Sequence, residues 1–139
     1  MNPILRNALA LLAGLFIGGI INAGIINIGA GFVPVPAGVD PNDIESIKAN
    51  IHLYEFKHFI CPFLAHALGT LIGAFVTAKL AVSSKLALAL VIGAFFLLGG
   101  IAMIVMVGGP LAFIVADLGL AYLPMGWLGA NLAGTKDHS

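Results

Sequence analysis

An all-α fold, an integral membrane four-helix transmembrane bundle with a short amphipathic helix in its extracytoplasmic loop, is predicted by three observations. The chain of 139 residues is 60% hydrophobic and 9% charged, with a mean hydropathy of +1.10, whereas soluble domains lie near ~45–50% apolar and ~25% charged. The few charges punctuate long uncharged runs, at 7–39, 58–78, 86–116 and 118–135. Finally, four of the six acidic residues (Asp40, Asp43, Glu45 and Glu55) crowd into one segment, Gly31–Lys57. The same composition excludes an ordinary soluble enzyme, a disordered chain and a nucleic-acid binder. Six basic and six acidic residues cancel, which leaves no positive surplus for a phosphate backbone. The partner implied is the lipid bilayer. The single cysteine, Cys61, excludes an intramolecular disulfide and any all-cysteine metal site.

Each span follows from the charge-free runs, since a hydrocarbon core of ~30 Å needs ~20 helical residues. The first run holds one span, about 4–28. Arg6 before an apolar core resembles a signal peptide, but the core is too long and no A-x-A site follows, so the segment reads as retained. The second run holds a span at about 59–82. The last two runs are separated only by Asp117 and must hold two spans, 86–107 and 110–132, broken at Gly108-Gly109-Pro110. Two glycines favour a turn there, and Pro110 suits a helix start. Residues 1–139 thus read as a single membrane domain.

Lysines and arginines in short loops set orientation. Arg6, Lys79, Lys85 and Lys136 fall on one side, Lys48 and Lys57 on the other. That bias places both termini in the cytoplasm of a multi-pass inner-membrane protein, and Trp127 suits the cytoplasmic aromatic belt.

The long loop opens with Val33-Pro34-Val35-Pro36, which reads as extended chain. Asp40 and Pro41 then resemble a helix cap and first position. Ile44, Ile47, Ile51 and Tyr54 recur at helical spacing. A helix over about 41–57 is predicted, lying on the membrane face or capping the bundle. Pro62 predicts a bend between it and the second span.

Polar residues inside the spans are few. Asp117 is the most costly, at ~2.5–3.5 kcal/mol on insertion scales, and should face the bundle interior. Counting at ~1.5 Å per residue, Asn22, His66 and Asp117 lie at one level below the outer surface. His66, Thr70, Gly73 and Thr77 share one helical face, as do Asp117, Ala121, Pro124, Leu128 and Asn131. A buried polar layer of Asp117, His66, Asn22 and Thr70 is predicted. It serves either to fix helix register or as a proton relay centred on Asp117 and His66. A relay needs a wet cavity at this level, open to one side. A purely structural layer should be dry and fully paired.

His52, Glu55, His58 and Cys61 place four metal-ligand types at steps of three. Such steps drift by −60° and spread the four over half a helix surface, so a metal site here is a weaker candidate. A soft copper(I) variant would recruit Met103 and Met106 to Cys61 and His58. No nucleophile–base pair and no phosphate loop is present, so the reading is non-enzymatic and no cofactor is implied. Gly14-x-x-x-Gly18 and Gly69-x-x-x-Gly73 are small-residue patterns that let helices approach closely, within the chain or in a homo-oligomer.

Two stretches, His58 to Phe75 (HFICPFLAHALGTLIGAF) and Asp117 to Ala130 (DLGLAYLPMGWLGA), together with the Asp40-Pro41 loop, resemble a group of small bacterial four-span membrane proteins without an assigned function. The resemblance implies a bacterial inner membrane and no chemistry. The leading expectation is a non-catalytic membrane protein, a small subunit of a membrane complex or a homo-oligomer. The alternative is a small proton-responsive transporter or channel subunit built on Asp117 and His66.

Overall fold

The computed structural model describes residues 1–135, and Lys136, used above in the charge count, lies outside them. The described chain is all-helical. In order it forms α1 (Pro3–Phe32), α2 (Ile44–Ala49), a 3-10 turn (Ile51–Leu53), α3 (Phe56–Leu80), α4 (Lys85–Val107), α5 (Leu111–Leu120) and α6 (Leu123–Leu132). Helices α1, α3 and α4 and the pair α5–α6 are each long and apolar enough to cross a membrane. The protein is an integral membrane four-helix bundle. The loop between α1 and α3 marks one end of it, and Met1 marks the other.

Helix α3 is the hub, packed against α1, α4 and α6. Two pairs of glycines explain how close α1 and α3 come. A Cβ on Gly69 would stand 2.8 Å from the Gly18 carbonyl oxygen, and one on Gly73 would stand 2.7 Å from that of Gly14. The two small-residue patterns therefore face each other inside one chain. Near the terminal end Thr77 Oγ1 donates to the Ala10 carbonyl at 3.1 Å. Asn7 clasps the α3–α4 turn, accepting from the Val82 N–H at 3.0 Å and donating to Ser83 Oγ at 2.9 Å. A core of Ala74, Ala78, Ala89, Ile92 and Ala130 fills the space between α3, α4 and α6. This half of the bundle is closed by packing.

The predicted break at Gly108-Gly109-Pro110 is present. Gly108 and Gly109 have φ of 86° and 151°, a region side chains rarely adopt. Three expectations are corrected. The loop helix is α2 alone, ending at Asn50, whose side chain donates back to the Ser46 carbonyl at 2.8 Å. Its cap is Asp43, which accepts from the Glu45 N–H at 3.0 Å, while Asp40 accepts from the Asn42 N–H in a local turn. The bend comes at Tyr54–Glu55 rather than at Pro62. His58 Nδ1 accepts the Glu55 N–H at 2.8 Å and starts α3 early, so Pro62 lies inside the helix. Membrane helices tolerate such a proline because neighbouring groups re-satisfy the freed carbonyl. Lastly, the fourth span is two half-helices. Pro124 has no N–H for the Leu120 carbonyl, and its ring crowds that oxygen. The chain leaves the helix at Ala121–Tyr122, and Tyr122 takes φ −118° and ψ −80°. The face drawn from Asp117 to Asn131 is interrupted there, and Pro124 and Asn131 are exposed.

Candidate functional site

Asp117 lies on α5, six residues past its start, about 9 Å inside the helix end. It is 1% exposed. His66 of α3 meets it, with Nδ1 2.8 Å from Oδ1. Tyr122 donates its hydroxyl to Oδ2 at 2.9 Å. An ionised carboxylate can only accept, so in that state His66 carries a proton on Nδ1, and as a neutral imidazole it presents Nε2 as an acceptor. The imidazole and phenol rings stack, with centroids 5.7 Å apart. Behind them Gly100 of α4 leaves room for the phenol, since a Cβ there would stand 2.6 Å from Tyr122 Cζ. Both oxygens of the buried carboxylate are thus satisfied, which offsets a desolvation that would otherwise be prohibitive.

The structure brings Asp117 and His66 of the expected layer together. Counting along one straight helix from Pro110 would put Tyr122 in the opposite half of the membrane. The break before α6 swings its hydroxyl back to a carboxylate five residues earlier. The sequence signal was Pro124, which breaks the phase two residues beyond the tyrosine.

The other two members of the layer do not join this network. Asn22 Oδ1 and Thr70 Oγ1 are buried without a hydrogen-bond partner. Thr70 is one turn from His66 and is fully buried, yet it makes no bond to the imidazole. Both line a chamber of about 200 Å3 with His66, Tyr122, Gly99 and Met103. A second hollow of about 350 Å3 lies under the loop, with Asp117 and His66 among its lining and Ile47, Ile51 and Tyr54 on its loop side. His66, Gly100 and Met103 border both spaces. The loop side is aromatic. Tyr54 lies against His58 and Phe59, and Phe59 lies 4.9 Å from Phe113 between ring centroids. Burial pushes the Tyr54 phenol above its ordinary pKa of 10.0.

The metal candidates do not converge. His52 and Glu55 are exposed. His58 spends Nδ1 on the α3 cap, and Cys61 is set against Gly29 of α1. Among the described residues no three His, Cys, Asp or Glu side chains come together to hold a metal ion. The correction has a plain cause. The four residues belong to two elements separated by the Tyr54–Glu55 bend, not to one helix. Of the copper(I) additions, Met103 lines the chambers and Met106 is exposed.

Comparison with known protein families, with curated proteins and with solved structures gives no match. What the site can do therefore rests on its own geometry.

Proposed function

We propose that this protein is a small proton-responsive transport or channel subunit of the bacterial inner membrane, with both termini cytoplasmic and Asp117–His66 as its centre. One observation carries the reading: the polar layer is roomy and only partly paired. A layer serving helix register alone has no reason to leave Asn22 Oδ1 and Thr70 Oγ1 buried and orphaned, at about 1–3 kcal/mol each. Here they border a space of about 200 Å3, enough for several waters at about 30 Å3 each. A carboxylate and imidazole inside a membrane, next to such a space, are the groups that proton-coupled proteins use. The loop end supplies the access and the aromatic hollow. The reading is non-enzymatic, supported by the fact that among the described residues no hydroxyl or thiol bonds to His66 as a nucleophile would.

The closed terminal half favours the word subunit. Toward Met1 the layer ends at Thr77, whose hydroxyl is already bonded to Ala10, and the polar Asn7 and Ser83 beyond it are bonded to each other at the α3–α4 turn. A complete path needs a second conformation, a second copy or a membrane-protein partner. A purely structural subunit or homo-oligomer is the competing reading, and the same closure supports it.

Proton flux into proteoliposomes separates the two. The wild-type protein should carry a pH-dependent flux, and Asp117→Asn should abolish it while keeping the helical content. Flux that persists unchanged in Asp117→Asn, or is absent from the wild type together with its native partners, overturns the transport reading. Native mass spectrometry from the host membrane supplies those partners and the oligomeric state.

A further inference from the structure

The unpartnered atoms of the polar layer define a ligand, given the reading of that layer as a binding centre. Three groups on residues that line the smaller chamber have no protein partner among the described residues: the buried Asn22 side-chain oxygen, the buried Thr70 hydroxyl and, with its other nitrogen held by Asp117, the Nε2 of His66. Two are acceptors, and the hydroxyl both donates and accepts. No charged side chain lines this chamber apart from His66 itself. A cation would find no free carboxylate, because both Asp117 oxygens are engaged. An anion would face the acceptors of Asn22 and His66. The complement is a neutral head that donates at least one proton and accepts one, which is a hydroxyl group.

The neighbouring hollow specifies the rest of the molecule. At about 350 Å3 it lies in the range of small-molecule pockets, ~300–1,000 Å3. Its walls are mostly apolar, with Lys57, His58, His66 and Asp117 the charged or titratable exceptions, and Tyr54, Phe59 and Phe113 are grouped at tilted angles on the loop side, a cluster that receives rings. His66, Gly100 and Met103 form the common border of the two spaces. Gly99 and Gly100 keep α4 bare beside the smaller one, and nothing lies within 4 Å of a Cβ built on Gly99.

We propose that the two spaces bind one amphiphile of the phenol class, its hydroxyl accepting from Thr70 and donating to Asn22 Oδ1 or His66 Nε2, and its apolar body under the α2 loop. This rests on the transport reading only for its physiological role, and the binding test does not use flux.

The probe is 4-hexylphenol, titrated against the purified protein in nanodiscs, with hexylbenzene as the control that lacks the hydroxyl. The wild type should bind the phenol about five- to tenfold more tightly than hexylbenzene, as one neutral hydrogen bond provides. Thr70→Val keeps the side-chain shape and removes the hydroxyl. It should largely erase that preference without lowering the affinity for hexylbenzene, and because it removes a buried hydroxyl without a protein partner, a thermal transition at or above that of the wild type shows that it folds. Equal binding of the two probes to the wild type, or a preference that survives in Thr70→Val, overturns the proposal. So does binding of neither. Extraction of the protein from its host distinguishes sources. A ring-bearing alcohol that copurifies with the wild type and is lost in Thr70→Val is a resident membrane compound. Empty protein that takes up 4-hexylphenol points to a compound arriving from outside. Phenol binding without proton flux would leave this inference standing and remove the transport role.

Discussion

Asp117 is held by an imidazole from another helix and a phenol from its own span. The two bonds are unequal in what they protect. Tyr122→Phe removes the donor at 2.9 Å and leaves Oδ2 buried without a partner. The expected loss is about 1–3 kcal/mol, read as a lower midpoint of unfolding in mixed micelles, with the His66 bond intact. Outside the membrane, Tyr54 makes a second prediction at this scale. Its folded phenol ionises above 10.0 because of burial, while an unfolded phenol ionises near its ordinary value. The stabilisation is therefore complete below pH 10 and is lost as pH rises through the folded value. Thermal unfolding of the wild type should fall more steeply with alkaline pH than that of Tyr54→Phe. Identical slopes would show that the loop does not cover this ring.

At the scale of elements, the α1–α3 seam is set by backbone approach. Gly69→Ala would place a methyl group 2.8 Å from the Gly18 oxygen and 3.1 Å from Asn22 Cβ. Neither helix can yield without opening the seam, and overpacking of this kind costs about 1–3 kcal/mol. Gly19→Ala, on α1 one residue from Gly18, meets nothing within 4 Å and should be neutral or slightly stabilising. Equal midpoints for the two variants would refute the seam. The patterns Gly14/Gly18 and Gly69/Gly73 were legible as close-approach motifs, but a sequence does not state which motif meets which. The loop helix was legible in its stripe of isoleucines. Its end was not, because Asn50 turns back onto Ser46 through a local hydrogen bond that competes with helix.

For the whole molecule, the four spans could be read from charge punctuation because the cost of a charge in hydrocarbon is large and local. The common level of Asn22, His66 and Asp117 followed from counting along straight helices. That counting fails where a helix stops, which is why Tyr122 reaches Asp117 although a straight helix would separate them. It is also silent on empty space. Whether four polar groups at one level close on each other or leave a chamber depends on glycines such as Gly99 and on how far α1 stands from α4. The molecule that results has its polar layer beside the hollows beneath the loop, while toward Met1 the α1–α3 seam is tight and the remaining space is an open groove at the α3–α4 turn.

The broken fourth span bears on how the protein is made. Each half-helix has ten residues, about 15 Å, and the hydrocarbon is ~30 Å thick. Neither half could partition into lipid alone as a spanning segment. The two must leave the ribosome and enter the bilayer as one stretch, carrying Asp117 with them, and kink afterwards. The chain order eases that step. Helix α3 is synthesised first, so His66 is already waiting in the membrane when the carboxylate arrives.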